Sequence, residues 1–156
     1  MSDSRYYQRR INQKIAYARQ LAHDAGEAAL EAAVWHLSVA YKAWLAEIVH
    51  DKHHPLPSRD MSCAVAIADT CDKHIPAALA ECVQLEINTE SWLTQLQAFN
   101  DAANSLINTP PKKVLAGMIA LSDASDVVLP STENVIALIN QLEQMIERYR
   151  EAMQEY

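Results

Sequence analysis

The chain has 156 residues, half of which are apolar or aromatic, and it carries a formal net charge of −7. This length and composition are typical of one folded domain whose core needs no disulfide or metal, and they exclude a disordered chain. Only two residues are glycine, which excludes the glycine-rich loops that bind phosphates and dinucleotides.

Charge is divided unevenly along the chain. Residues 1–23 carry five basic side chains and one acidic side chain, whereas the remaining residues carry a large acidic excess. An acidic body argues against a nucleic-acid partner, because such binding depends on neutralising phosphates. The basic N-terminal segment is the one part of the sequence to which this argument against nucleic-acid binding does not apply.

Cysteine content and hydropathy indicate in which cell compartment the protein works. The cysteines are odd in number and form no CxxC pair, which predicts free thiols at Cys63, Cys71 and Cys82. Residues 5–20 contain arginines and glutamines where a signal peptide would be apolar. Because the sequence also lacks an apolar run of about 18 residues, we expect a cytoplasmic protein with no membrane partner.

The first two predicted helices cover about residues 4–23 and 26–50. Helix one carries a narrow apolar stripe at helical spacing: Ile11, Ile15, Ala18 and Ala22. Helix two carries a wider stripe, which predicts a central position: Leu30, Val34, Leu37, Tyr41, Trp44 and Ile48. Gly26 between the helices indicates either a short break or a kink.

Further helical segments follow in the second half of the chain. Ser58 is a candidate N-cap for helix three, and Pro76 suits the first turn of a short helix that ends near Ile87. Residues 90–108 form the next helix, and the last one begins behind Pro130. Residues 112–130 fit either a short apolar helix or an extended segment.

No segment shows the alternating pattern of a β-strand. The sequence therefore predicts an all-α protein, an antiparallel bundle of five to six helices in a single domain over residues 1–156. The apolar stripes can pack within one chain or between two copies of it.

Several segments occur in an order that resembles a known family: NQKIAYA (12–18), AAVWHLSVAYKAWLAEI (32–48), AECVQLEINTESWLTQL (80–96), MIALSDASD (118–126) and RYREAMQEY (148–156). The family consists of small helical proteobacterial proteins that are classed only as a domain of unknown function. The most specific parts lie around Asn88, Ser91 and Trp92 and around Tyr149. The resemblance implies a bacterial cytoplasmic protein and brings no activity, cofactor or catalytic residue with it.

Two helices carry charged edges. The basic edge belongs to helix one and consists of Arg5, Arg9, Arg10 and Lys14. The acidic edge belongs to the last helix and includes Glu143, Glu147 and Glu151, which recur every four residues. Each edge is either a solvated face or a surface that meets the other edge, within one chain or across a homodimer. Exposed ion pairs contribute only about 0–1 kcal/mol each. They would therefore fix how the two helices align along their length rather than stabilise the fold.

Metal-ligating residue types gather near the end of helix two. Glu47 and His50 form a Glu-x-x-His pair, and His53 and His54 follow it. A di-metal bundle needs a second such pair, which the sequence lacks. A zinc site could draw on His53 and His54 with Cys63, Cys71 and His74, although buried thiols explain the cysteines without a metal. These residues are weak metal candidates, and we expect no cofactor.

Catalytic patterns are also weak. His36 lies between two positions of the helix-two stripe, where a half-buried histidine with one bonded nitrogen is the ordinary outcome. Arg19 and His23 have one residue too few between them for an Arg-x4-His nuclease motif. We therefore expect a non-catalytic bundle that acts on a protein partner or on a second copy, with a metal-binding bundle (ferritin-like or zinc) as the alternative.

Overall fold

The computed structural model describes residues 3–24, 26–51, 63–71, 74–108 and 130–154. These ranges contain six helices and no strand: α1 (Asp3–His23), α2 (Glu27–Asp51), α3 (Ala64–Asp69), α4 (Ala77–Ile87), α5 (Trp92–Asn108) and α6 (Thr132–Gln154). The predicted all-α bundle is confirmed. Within the same ranges, no helix combines the length and the apolar character that crossing a membrane requires.

The junction between α1 and α2 is a break in the helix. Asp24 lies in a turn whose N–H donates to the carbonyl of Leu21 at 3.1 Å, and Gly26 is not helical. The Gly26 carbonyl accepts the first hydrogen bond of α2, from Leu30 N–H at 2.9 Å. The two helices can therefore fold back on each other.

Helix α2 occupies the centre of the bundle. It packs along α1 over most of their length and also contacts α4, α5 and α6, while α3 packs on α4. Every predicted apolar position of the α1 and α2 stripes is buried. All six helices contribute side chains to the same apolar core, which gives each amphipathic face a partner.

Local residues explain the starts of α4, α5 and α6. Pro76 precedes α4, where its missing N–H costs no hydrogen bond. Helix α6 begins behind Ser131, whose Oγ accepts from Asn134 N–H at 3.1 Å while Asn134 Oδ1 accepts from Ser131 N–H at 3.1 Å. Helix α5 begins two residues later than predicted, because Ser91 Oγ accepts from Thr94 N–H at 3.1 Å and acts as the N-cap.

Helix α3 begins at Ala64. The predicted cap Ser58 lies outside the described residues, as do residues 112–129.

Candidate functional site

A surface cleft of about 610 Å³ runs between α1 and α6. Its floor contains the buried side chains of Ile15 and Ile146, and the exposed Ala16 lies beside them. Polar side chains form its two rims: Asn12, Arg19, Gln20 and His23 on α1, and Glu143, Glu147 and Arg150 on α6. An apolar floor between polar rims is typical of a groove that receives a helix.

The two helices that form the cleft are antiparallel and in a fixed register. Near one end, Arg19 of α1 forms an ion pair with Glu143 of α6. Near the other end, Gln8 of α1 and Arg150 of α6 both reach the carboxylate of Glu47. Residue numbers thus rise along α1 while they fall along α6, and facing residues have numbers that add up to about 160.

Glu47 lies beneath one end of the cleft and has no exposed surface. Its Oε2 accepts a hydrogen bond from an Arg150 terminal nitrogen at 2.9 Å, and its Oε1 accepts from Arg150 Nε at 3.3 Å and from Gln8 Nε2 at 3.2 Å. A buried carboxylate is tolerated only when a cation and further donors replace the lost water. This contact joins α1, α2 and α6 at one point.

The predicted basic edge divides between two faces of α1. Arg5 and Arg9 are exposed and follow the same helical stripe as the cleft residues Asn12 and Ala16. Lys14 instead contacts α2. On α6, Glu143 and Glu147 line the cleft, and Glu151 is exposed one turn beyond them.

Among the described residues, Arg19–Glu143 is the ion pair that joins the two helices across the cleft. Arg5, Arg9 and Arg10 form no ion pair there with Glu143, Glu147 or Glu151. The facing of the two charged edges across a dimer stays a prediction.

Lys14 lies in a pocket of aromatic rings between α1 and α2 and is only 6% exposed. Its Nζ donates to Nδ1 of His36 at 3.3 Å and lies 4.8 Å from the ring centroid of Trp35. Burial, followed by the charge of Arg10, lowers the pKa of Lys14. Burial, followed by the charges of Lys14 and Arg10, lowers the pKa of His36. This arrangement needs a neutral His36, because a protonated Nδ1 could not accept from Lys14.

The weak metal candidates are only partly described. Glu47 has both oxygens bonded to Arg150, and the ring of His50 lies 6.0 Å from that of Tyr7. In the described part of the chain, no three His, Cys, Asp or Glu side chains are close enough to hold a metal ion. His53 and His54 lie outside the described residues.

A second polar cluster, which the sequence did not reveal, centres on Glu86 of α4. Its carboxylate accepts hydrogen bonds from the Tyr41 hydroxyl and Ala64 N–H at 2.7 Å, from the Cys63 thiol at 3.0 Å and from Val65 N–H at 3.1 Å. Glu86 therefore caps α3 from another helix. The residues that bond to Glu86 are distant from it in sequence and have no distinctive spacing. The cluster therefore could not be predicted from any local sequence pattern.

The thiols beside this cluster are held in their protonated form. Burial raises the pKa of Cys82 to about 12, and burial with the Glu86 hydrogen bond raises the pKa of Cys63. A protonated thiol is a poor nucleophile and a poor metal ligand. Cys63 and Cys82 thus belong to the packing between α2, α3 and α4.

Comparison with known proteins identifies the family of this chain. A family model described as "Family of unknown function (DUF6586)" matches residues 7–156. No curated protein and no solved structure was found to match the chain. Because the family match covers nearly the whole sequence, this protein belongs to DUF6586, a family of unknown function.

Proposed function

We propose that this chain is a non-catalytic interaction protein that binds a helix of another polypeptide in the α1–α6 cleft. The observation that carries the proposal is the apolar floor of Ile15 and Ile146 beside rims whose charged residues include the exposed Glu147. Helix-in-groove recognition uses apolar anchors for affinity and rim charges for register and association rate. The partner helix would carry both a basic side chain to meet Glu147 and Glu151 and an acidic one to meet Arg5 and Arg9.

The chemistry of the remaining polar groups supports an interaction role. Glu47 uses its oxygens to neutralise Arg150, and Glu86 uses its oxygens to cap α3. A catalytic or metal-binding carboxylate would instead need lone pairs directed at a ligand. These carboxylates serve the packing of the bundle, so the cleft is the feature best suited to contact another molecule.

We also propose that the chain works in a bacterial cytoplasm. Cys63, Cys71 and Cys82 are free thiols, which suits a reducing compartment. Fractionation of the native cell tests this, and recovery of the protein from an oxidising compartment or a membrane would contradict it.

A photo-reactive amino acid tests the proposed function in living cells. It would replace Ala16, which is exposed in the cleft, and in a matched control Ala98, which is exposed on α5. We expect irradiation at position 16 to give one discrete adduct, identifiable by mass spectrometry, which disappears when Glu147→Lys is added. Adducts of equal yield at both positions, or none at position 16, would refute the proposal.

A further inference from the structure

We infer that the helix bound at the cleft is α1 of a second copy of this chain, which lies along the α6 rim, in a homodimer whose two-fold axis runs parallel to α1 and α6. This inference rests on the proposed function and adds the identity of the partner. It follows from the charges of the two helices and from their register.

Charge selects this symmetry. The exposed α1 stripe is basic at Arg5 and Arg9, and the exposed α6 edge is acidic at Glu147 and Glu151. A two-fold axis parallel to the helices places α1 of one copy over α6 of the other, which brings unlike charges together. An axis perpendicular to the helices places α1 over α1 and α6 over α6, which gathers like charges on each side. Like-charge contacts are costly, so the parallel axis is favoured.

Register then fixes which residues meet. Rotation about an axis parallel to the helices does not change the position of a residue along that axis. The α1 helix of one copy therefore meets α6 of the other in the register already present within one chain. Within the chain, facing residues have numbers that add up to about 160. Arg9 of one copy therefore faces Glu151 of the other, and the symmetric pair forms at the second site.

Charge exchange between two copies tests the inference. Arg9→Glu and Glu151→Arg would each place like charges at both symmetric contacts, and we expect each variant alone to dimerise at least about tenfold more weakly by sedimentation equilibrium. An equimolar mixture of the two variants has unlike charges at both contacts, so it should form a heterodimer of near wild-type affinity. The double variant should likewise recover its own homodimer.

Arg10→Glu is the matched control, because it makes the same charge change on α1 away from the cleft stripe. Far-UV circular dichroism on every variant checks that the helices are retained. A wild-type dimer that neither single variant weakens, or a mixture that does not associate, overturns the inference. A wild-type chain that stays monomeric overturns it too, while an adduct from position 16 to a different polypeptide would leave the proposed function standing.

Discussion

Glu47 is fully enclosed, and its carboxylate is bonded to Arg150 and Gln8 in place of water. The two charges are not equally enclosed, because the Arg150 side chain keeps 22% of its surface exposed. Arg150 can reach water if its partner is lost, whereas Glu47 cannot. The two halves of this ion pair should therefore respond differently to substitution.

We expect Arg150→Met to lower the free energy of unfolding by about 3–5 kcal/mol, since it leaves a buried carboxylate without a cation. Glu47→Gln should cost less, about 1–3 kcal/mol, and the double variant should be more stable than Arg150→Met alone. Urea unfolding measures all three. Arg148→Met is the control, because Arg148 is 62% exposed in its ion pair with Glu81 and should matter by less than about 1 kcal/mol. Equal losses for both single variants would contradict this account.

The Lys14–His36 contact should make stability depend on pH. Burial and the neighbouring charges of Lys14 and Arg10 lower the pKa of His36 in the folded state. The unfolded chain therefore binds more protons as the pH falls through about 6.5, so acidification favours unfolding. We expect His36→Asn to lose less stability than the wild type between about pH 7.5 and pH 5, measured by urea unfolding at each pH.

His74→Asn is the control, since His74 is exposed and lies outside the helices. It should keep the pH dependence of the wild type. The explanation fails if His36→Asn and the wild type lose the same free energy on acidification.

The same residues show where reasoning from sequence reached its limit. His36 was predicted to be half-buried with one bonded nitrogen, and it is. The sequence puts Lys14 on a basic edge that faces either solvent or the acidic edge of the last helix. The Lys14 side chain is instead buried, because its position on α1 turns it toward rings that α2 supplies. Glu47 lay beside an apolar stripe with no sign of its partner, 103 residues away on α6.

At the scale of helices, prediction succeeded wherever the signal was local. The apolar spacing of α1 and α2 and the residues Pro76 and Pro130 gave boundaries within one or two residues of those observed. The start of α3 could not be predicted, because its free N–H groups are bonded by Glu86 of α4. A cap supplied by another helix leaves no pattern in the capped segment.

The start of α6 depends on one reciprocal cap. Ser131→Ala removes the oxygen that accepts from Asn134 N–H and should lower the free energy of unfolding by about 1 kcal/mol. Ser131→Asp keeps an acceptor at the same position and places a negative charge at the N-terminus of α6, so it should retain wild-type stability. Thermal unfolding of the three proteins compares them, and equal losses for Ala and Asp would contradict the assignment of the loss to the missing acceptor.

For the molecule as a whole, the central position of α2 follows from its wide apolar stripe. A helix that contacts α1, α4, α5 and α6 must be apolar over most of its circumference, and the sequence predicted this. Sequence periodicity did not predict which helices form the cleft, since apolar stripes alone do not state which helix each will meet. The pairing of α1 with α6 depends on long-range contacts such as Arg19 with Glu143.

The enclosed pairing of Glu47 with Arg150 also constrains how this lineage can evolve. Loss of Arg150 alone leaves the buried Glu47 carboxylate without a cation, so natural selection should remove intermediates that change position 150 before position 47. We expect positions 47 and 150 to covary among descendants of a common ancestor, with both charges kept or both replaced by neutral side chains. Independent drift of the two positions, in an alignment of many homologues, would mean that the bundle tolerates an unmatched ion.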